Sequence, residues 1–317
     1  KPVKSNEESK SVFIGRQCKK IYLCVEVMNE KLTYCVAGHI FCIETPDRRL
    51  TSAILSNYAP FLVEEVDDKR VLFRLKGREE VDIPEITPSD TIAWNGVDYK
   101  MYHTPEGMLI SMKKGDREHR LFARNDRKEM VCDLSLTDEG EAVFLNNLLR
   151  MAYGVTSIRV DQTIKIHGSV TELNGKAMIF LGKSGTGKST HSRLWREFVP
   201  GCTLLNDDEP LVKVFEHEPV RVYGAPWSGS TACYRNISAE VVAFVHLYQS
   251  SENRLTKVRS IEAFSSLLAS SSVLRSDPEN RKRVQDVVAA ILQRVPVYRL
   301  DCRPDYEAVS LTRSLLS

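Results

Sequence analysis

Residues 182–189 read Gly-Lys-Ser-Gly-Thr-Gly-Lys-Ser and match GxxxxGKS, the pattern that most constrains how the surrounding chain can fold. It requires a strand running into a glycine loop and a helix leaving it. Both flanks comply: Ala177-Met178-Ile179-Phe180-Leu181 is apolar and strand-like, and Thr190-His191-Ser192-Arg193-Leu194-Trp195-Arg196 reads as a helix. Gly182, Gly185 and Gly187 let the backbone turn sharply and aim its N–H groups into one anion-binding concavity at a helix N-terminus. Ser184, Thr186 and Thr190 belong to the same cradle. Lys188 is expected to reach the β- and γ-phosphates of a nucleoside triphosphate, and the Ser189 hydroxyl to hold Mg²⁺. ATP with Mg²⁺ is the expected ligand, with the choice between ATP and GTP left open.

A chain of 317 residues suggests about two domains. Its 44 basic and 42 acidic residues nearly cancel, so no nucleic-acid partner is implied. No apolar run approaches the roughly 18–20 residues needed to cross a bilayer; the longest, 241–248, is strand-sized. No membrane association and no secretory leader are expected, although a chain that begins with Lys can lack its native start. The eight cysteines show no CxxC pair and no matched His spacing, which argues against zinc. With a nucleotide loop present, that usage points to a reducing cytoplasm, where the glycosylation match Asn236-Ile237-Ser238 is idle.

Residues 1–10 are polar and read as a loose terminus. From residue 12 to about 130, short apolar stretches at 21–27, 32–36, 70–75, 99–102 and 108–112 are punctuated by turn sequences such as Met28-Asn29-Glu30, Trp94-Asn95-Gly96 and Pro105-Glu106-Gly107. This predicts an antiparallel, β-rich N-terminal domain over 1–153, with substrate recognition as a candidate role. A linker helix over 138–152 ends it, with Asp138 as N-cap, Glu141 as capping-box partner and Gly154 as stop. Val143, Phe144, Leu148, Met151 and Ala152 form its expected apolar stripe.

Residues 154–317 change character. Strands are expected at 164–170, 176–181, 202–206, 211–214, 220–223, 241–248 and 297–300, and helices at 189–198, 260–270, 278–293 and 304–316. The expected class is α/β, α+β over the whole chain, with a mixed-sheet nucleotide-binding domain carrying antiparallel additions.

Thr203-Leu204-Leu205-Asn206-Asp207-Asp208-Glu209 is a short apolar strand ending in three carboxylates. A loop-bound nucleotide needs an acid at a strand end to anchor Mg²⁺, and a kinase needs a base for the attacking hydroxyl. Two adjacent Asp residues can divide these tasks, because successive strand side chains diverge. Asp207 follows Ser189 by only 18 positions, room for one short helix and one strand.

These elements together, His167-Gly168-Ser169-Val170, Asn174-Gly175-Lys176, Gly182 to Ser189 and Asn206-Asp207-Asp208, resemble the catalytic domain of the HPr kinase/phosphorylase family. The Gly-Thr-Gly-Lys loop followed by Asp207-Asp208-Glu209 also resembles the core of phosphoenolpyruvate carboxykinase. The resemblance covers roughly 160–250 and is strongest to members with a Gly-x-Pro-Trp-Ser-Gly segment, here Gly224-Ala225-Pro226-Trp227-Ser228-Gly229. It implies Asp208 as general base, Asp207 as a Mg²⁺ ligand, His167 near the reaction centre, and assembly into a homo-oligomer. Residues 1–150 do not resemble the N-terminal domain of HPr kinase. No glycine-rich stretch of its phosphorylase kind is recognisable, and neither are the extra metal ligands and substrate arginines of the carboxykinase.

The segment from Tyr223 to Asn236 has two readings. It can close over the phosphates, with Arg235 neutralising transferring charge, or it can be a tight turn with Trp227 plugging the core and Arg235 at the surface. Arg193 and Arg196 read as solvated, and His191, Cys302 and Asp305 receive no role. The expected activity is Mg²⁺-dependent transfer of the γ-phosphate of ATP to a hydroxyl, a Ser or Thr of a peptide or small protein. A small-metabolite hydroxyl and a non-catalytic ATP-gated binding module are the alternatives. Lys188, Asp208, His167 and Arg235 are the candidate catalytic residues.

Overall fold

The computed structural model describes residues 30–64, 67, 70–94, 96–229 and 231–316. The expected terminus at 1–10, the strand at 21–27 and Cys18 and Cys24 lie outside them, and of the turn Met28-Asn29-Glu30 only Glu30 lies within.

Two nine-stranded mixed sheets build the molecule. In the first, β1 (Glu30–Val36) and β2 (His39–Thr45) form a hairpin in which Val36 pairs with His39. Its turn residues Ala37 and Gly38 both have positive φ, the type I′ geometry whose twist matches that of the strands. Helix α1 (Arg48–Ile54), capped by Asp47 accepting from the Arg49 and Leu50 N–H groups, carries the chain away. β3 (Leu62–Val63), β4 (Val71–Lys76), β5 (Asp90–Trp94), β6 (Val97–His103), β7 (Gly107–Lys114), β8 (Arg117–Arg124) and β9 (Glu129–Cys132) complete the order β3-β1-β2-β4-β9-β8-β7-β6-β5. The fully antiparallel expectation is corrected here. β4 runs parallel to both β2 and β9: α1 and the 3₁₀ turn after it provide the crossover from β2 to β4, and the chain through β5 to β8 provides the one from β4 to β9.

Helix α2 (Ala142–Val160) differs from its expected form at both ends. Asp138 caps the Gly140 N–H of a preceding 3₁₀ turn. Glu141 does not reach back to it; the Ser135 N–H and hydroxyl donate to the Glu141 carboxylate instead, at 2.8 and 2.9 Å. Nor does Gly154 stop the helix. A Cβ there would lie 2.6 Å from Lys165 Cε, so the glycine makes room for a crossing side chain. The expected division between 153 and 154 therefore falls inside one continuous helix. Phe144, Leu148 and Ala152 are buried as expected, whereas Val143 is 41 % exposed; Leu145, Leu149 and Tyr153 supply the rest of the stripe against the first sheet.

The second sheet contains β10 (Thr163–Lys165), β11 (Gly168–Leu173) and β12 (Lys176–Leu181), then, after α3 (Lys188–Phe198), β13 (Thr203–Asp208), β14 (Leu211–Lys213), β15 (Arg221–Tyr223) and β16 (Ser238–Gln249). These run in the order β10-β14-β15-β16-β12-β11-β13. β17 (Arg254–Val258), which the sequence reading lacked, leads into α4 (Ser260–Ser270) and α5 (Pro278–Leu292), and β18 (Val297–Cys302) pairs with both β16 and β17 before α6 (Tyr306–Arg313). The single strand expected over 164–170 is two. Ile166 donates to Pro210 O and His167 to Ser270 O, and at that step the chain leaves β14 and enters the β12–β13 side of the sheet.

The central β12 shows why its sequence is continuously apolar. Ala177, Ile179 and Leu181 face a core built with α4 and α5, while Met178 and Phe180 face a core built with α3 and α6. No helix among the described residues is long and apolar enough to cross a membrane.

Candidate active site

The chain between β12 and α3 is a tight glycine loop. Gly182, Gly185 and Gly187 sit at φ 144°, 82° and 102°, a region L-residues rarely adopt. Gly182 is also confined: a Cβ would lie 2.5 Å from Thr186 Oγ1. Thr186 bridges the loop through its hydroxyl and N–H, both donating to Lys183 O. Ser184 lies inside this turn, and Thr190 follows in the first turn of α3. Gly187 is the N-cap of α3 and, lacking a side chain, leaves its first-turn N–H groups without a capping bond from that position. Lys188 folds over the loop, donating to Gly182 O at 2.8 Å and Lys183 O at 3.3 Å. Burial lowers its pKa, only partly offset by Asp207 and Asp208.

β13 brings the acids to this loop. It reaches Asp208, two residues further than expected, and pairs with β11 so that Gly168 faces Asp208 and Ser169 faces Asp207. Ser189 Oγ donates to Asp207 Oδ1 at 3.1 Å, which ties the helix to the strand end. This donor set suits Mg²⁺, a hard cation taken by one or two carboxylates and a hydroxyl with phosphate oxygens completing the shell. Among the described residues no three His, Cys, Asp or Glu side chains gather into a metal cage.

Asp208 points to the other side. Its Oδ2 lies 2.7 Å from an Arg150 guanidinium nitrogen and its Oδ1 3.5 Å from His167 Nδ1. Burial alone would raise its pKa; the hydrogen bond from His167 and the charge of Arg150 outweigh that and hold it below its usual value. His167, expected on a strand, lies between β10 and β11 with its side chain 44 % exposed and its Nδ1 beside Asp208.

Glu209 anchors the strand end from inside. Arg150 Nε and Lys165 Nζ donate to its Oε2 at 2.8 and 2.9 Å, and the Ser272 hydroxyl donates to Oε1. Against a large burial penalty, Lys165 and then Arg150 keep its carboxyl far below the ordinary range. The sequence reading missed Arg150, Lys165 and Ser272. The available signal was a lone cation inside apolar runs, Leu149-Arg150-Met151 and Ile164-Lys165-Ile166.

Arg235 is not brought to the loop. It donates to Thr203 Oγ1 and Leu204 O, at the start of β13 and the far end from Asp208. Trp227 is buried in the core of the first sheet, against Tyr153, with its indole N–H donating to Glu209 O at 2.7 Å. The glycines around it serve close backbone approach: a Cβ on Gly224 would lie 1.9 Å from Arg235 O, and Gly229 donates to Asp207 O. Of the two readings of this segment, the plugged core holds for Trp227. Arg193 pairs with Glu197 on the surface of α3, and Asp305 caps α6.

No protein-family model matches the chain, and no curated protein matches it either.

Proposed function

We propose that this protein is a Mg²⁺-dependent kinase that transfers the γ-phosphoryl group of ATP to a hydroxyl, with an HPr-kinase- or carboxykinase-like nucleotide-binding unit in its C-terminal half. The observation that carries the proposal is the convergence of Ser189, Asp207 and Asp208: one carboxylate bonded to the loop serine, the next turned away from it and paired with Arg150.

The geometry supports these roles. The loop N–H groups and the start of α3 would hold the phosphates. Lys188, now bonded to neutral carbonyls, gains a stronger charge-assisted partner in a phosphate oxygen. Ser189 and Asp207 would hold Mg²⁺, which neutralises phosphate charge when bound. Asp208 would orient the acceptor hydroxyl and take its proton as the new bond to phosphorus forms. Its lowered pKa keeps it ionised at neutral pH and makes it a weak base, in keeping with a reaction that depends mainly on positioning and electrostatics. Arg150 and His167 fix its two oxygens. The six cysteines among the described residues are all free, which supports a reducing compartment such as the cytoplasm.

The test is γ-labelled ATP with Mg²⁺ and cell extract, wild type beside Asp208→Asn and Lys188→Ala. Wild-type-dependent label in a discrete species is expected. Asp208→Asn should lose transfer by about 10²–10⁴-fold with ATP affinity nearly intact, and Lys188→Ala should weaken both. Tight ATP binding with no transferred label would leave an ATP-gated binding module instead.

A further inference from the structure

Against the Arg150 and His167 side chains that contact Asp208 lies a cavity of about 380 Å³, roofed by the first sheet and walled by α2 and α5. One part of its lining is apolar: Ile92, Tyr99 and Met101 from β5 and β6, Val155 and Ile158 from α2, and Val284 from α5. The other part is polar and includes Arg150, Lys165, His167, Glu209 and Ser272. Two of these, Arg150 and His167, are the side chains that hold the Asp208 carboxylate, so the polar end backs onto the proposed base.

The polar end is also charge-balanced. Arg150 and Lys165 lie within 2.7–2.9 Å of Asp208 and Glu209, cation for carboxylate. An anionic acceptor would have to displace one of these buried pairs, and a cationic one would leave an uncompensated charge. A volume of about 380 Å³ sits at the small end of the roughly 300–1,000 Å³ typical of small-molecule pockets.

We infer that this cavity is the acceptor site and that the acceptor is a small, uncharged hydroxylated molecule with an apolar body. The inference rests on the kinase reading above and gives the first sheet its task, the selection of the acceptor. The apolar body packs against Ile92, Tyr99, Met101 and Val155, and the hydroxyl emerges past His167 toward Asp208. The hydroxyl oxygen forms a bond to the γ-phosphorus as the bond from that phosphorus to the β–γ bridging oxygen breaks. The electron pair leaves with ADP, the hydroxyl proton passes to Asp208, and the product is a phosphate monoester.

The experiment uses the full chain with γ-labelled ATP, Mg²⁺ and cell extract, the products being separated into protein and small-molecule fractions. Ile92→Trp and Val155→Phe fill the cavity from positions that are not fully buried, Ile92 being 39 % exposed. Thermal unfolding checks that both remain folded, and calorimetry measures their ATP affinity directly. Label is expected in a small, uncharged alcohol of the extract. Each filled variant should transfer to it roughly tenfold less efficiently while binding ATP as wild type does. Label in the protein fraction, or filled variants that transfer undiminished, would overturn the cavity as acceptor site and leave the kinase standing. ATP bound but no label in either fraction would remove the kinase reading and the acceptor site with it.

Discussion

Acid should loosen the glycine loop and the helix after it through His191, a residue outside the proposed chemistry. His191 lies in the first turns of α3, 3 % exposed, with its Nε2 3.3 Å from Thr312 Oγ1 of α6 and its ring 4.6 Å from that of Phe180. Burial pulls its pKa from 6.5 to about 4. The folded value is the lower one, so between the two values the unfolded chain binds more protons, and stability falls as pH drops. At about 1.4 kcal/mol per pH unit over roughly 2.5 units, acidification from neutrality to about pH 4 costs about 3 kcal/mol through this group. That is a large share of the 5–15 kcal/mol typical of a folded protein. Urea unfolding of wild type and His191→Gln at a series of pH values isolates it. His246, whose pKa burial also lowers, is common to both proteins and cancels. The wild type should lose about 2–3 kcal/mol more than the variant between about pH 7 and pH 4.5, where the carboxylate contribution is common to both proteins and cancels. Parallel pH dependences would refute the reasoning and show that the buried imidazole accepts its proton without penalty.

Replacing Arg150 with Met should destabilise the protein by about 3–5 kcal/mol in urea unfolding, because it strips a buried cation from two buried carboxylates. It should also move the acid limb of the transfer pH profile upward, since burial of Asp208 then goes less opposed; an unmoved limb would separate Arg150 from the base. Gly182→Ala, at φ 144° and facing Thr186, should strain the loop by about 1–3 kcal/mol and weaken ATP binding in calorimetry. Gly154→Ala should lower the thermal midpoint although alanine is the better helix former by about 1 kcal/mol. The Lys165 side chain it would push is held at Glu209 and cannot swing aside without breaking that pair; a raised midpoint would show that it can.

What could be read from the sequence was the part encoded by neighbours in the chain. The strand, glycine loop and helix of residues 177–198 are contiguous, and α3 and β12 appear where their patterns place them. Ser189 and Asp207, read as Mg²⁺ ligands separated by room for one helix and one strand, lie within hydrogen-bond distance of each other. What was not legible depends on partners far apart in sequence. Nothing near Arg150 announces Asp208 and Glu209, 58 and 59 positions later, and nothing near Gly154 shows that Lys165 will cross it. Arg235 was attractive as a cation after a glycine-rich segment. It is instead tied to the wrong end of β13, which a linear reading cannot orient. The parallel pairings of β4 were hidden for the same reason, since a direction of pairing is decided by the path of the connections, α1 before β4 and β5 to β8 after it, rather than by the strand's own residues.

The continuity of α2 has a mechanical meaning. Phe144 at one end is embedded in the first sheet, Arg150 in the middle grips Asp208, and Ile158 at the other end packs with α5 beneath the second sheet. At 1.5 Å of rise per residue these three stand at set intervals along a single rod. The proposed acceptor pocket and the proposed nucleotide loop thus share one rod, and a swing of one half against the other would have to strain α2 or break the Arg150–Asp208 pair.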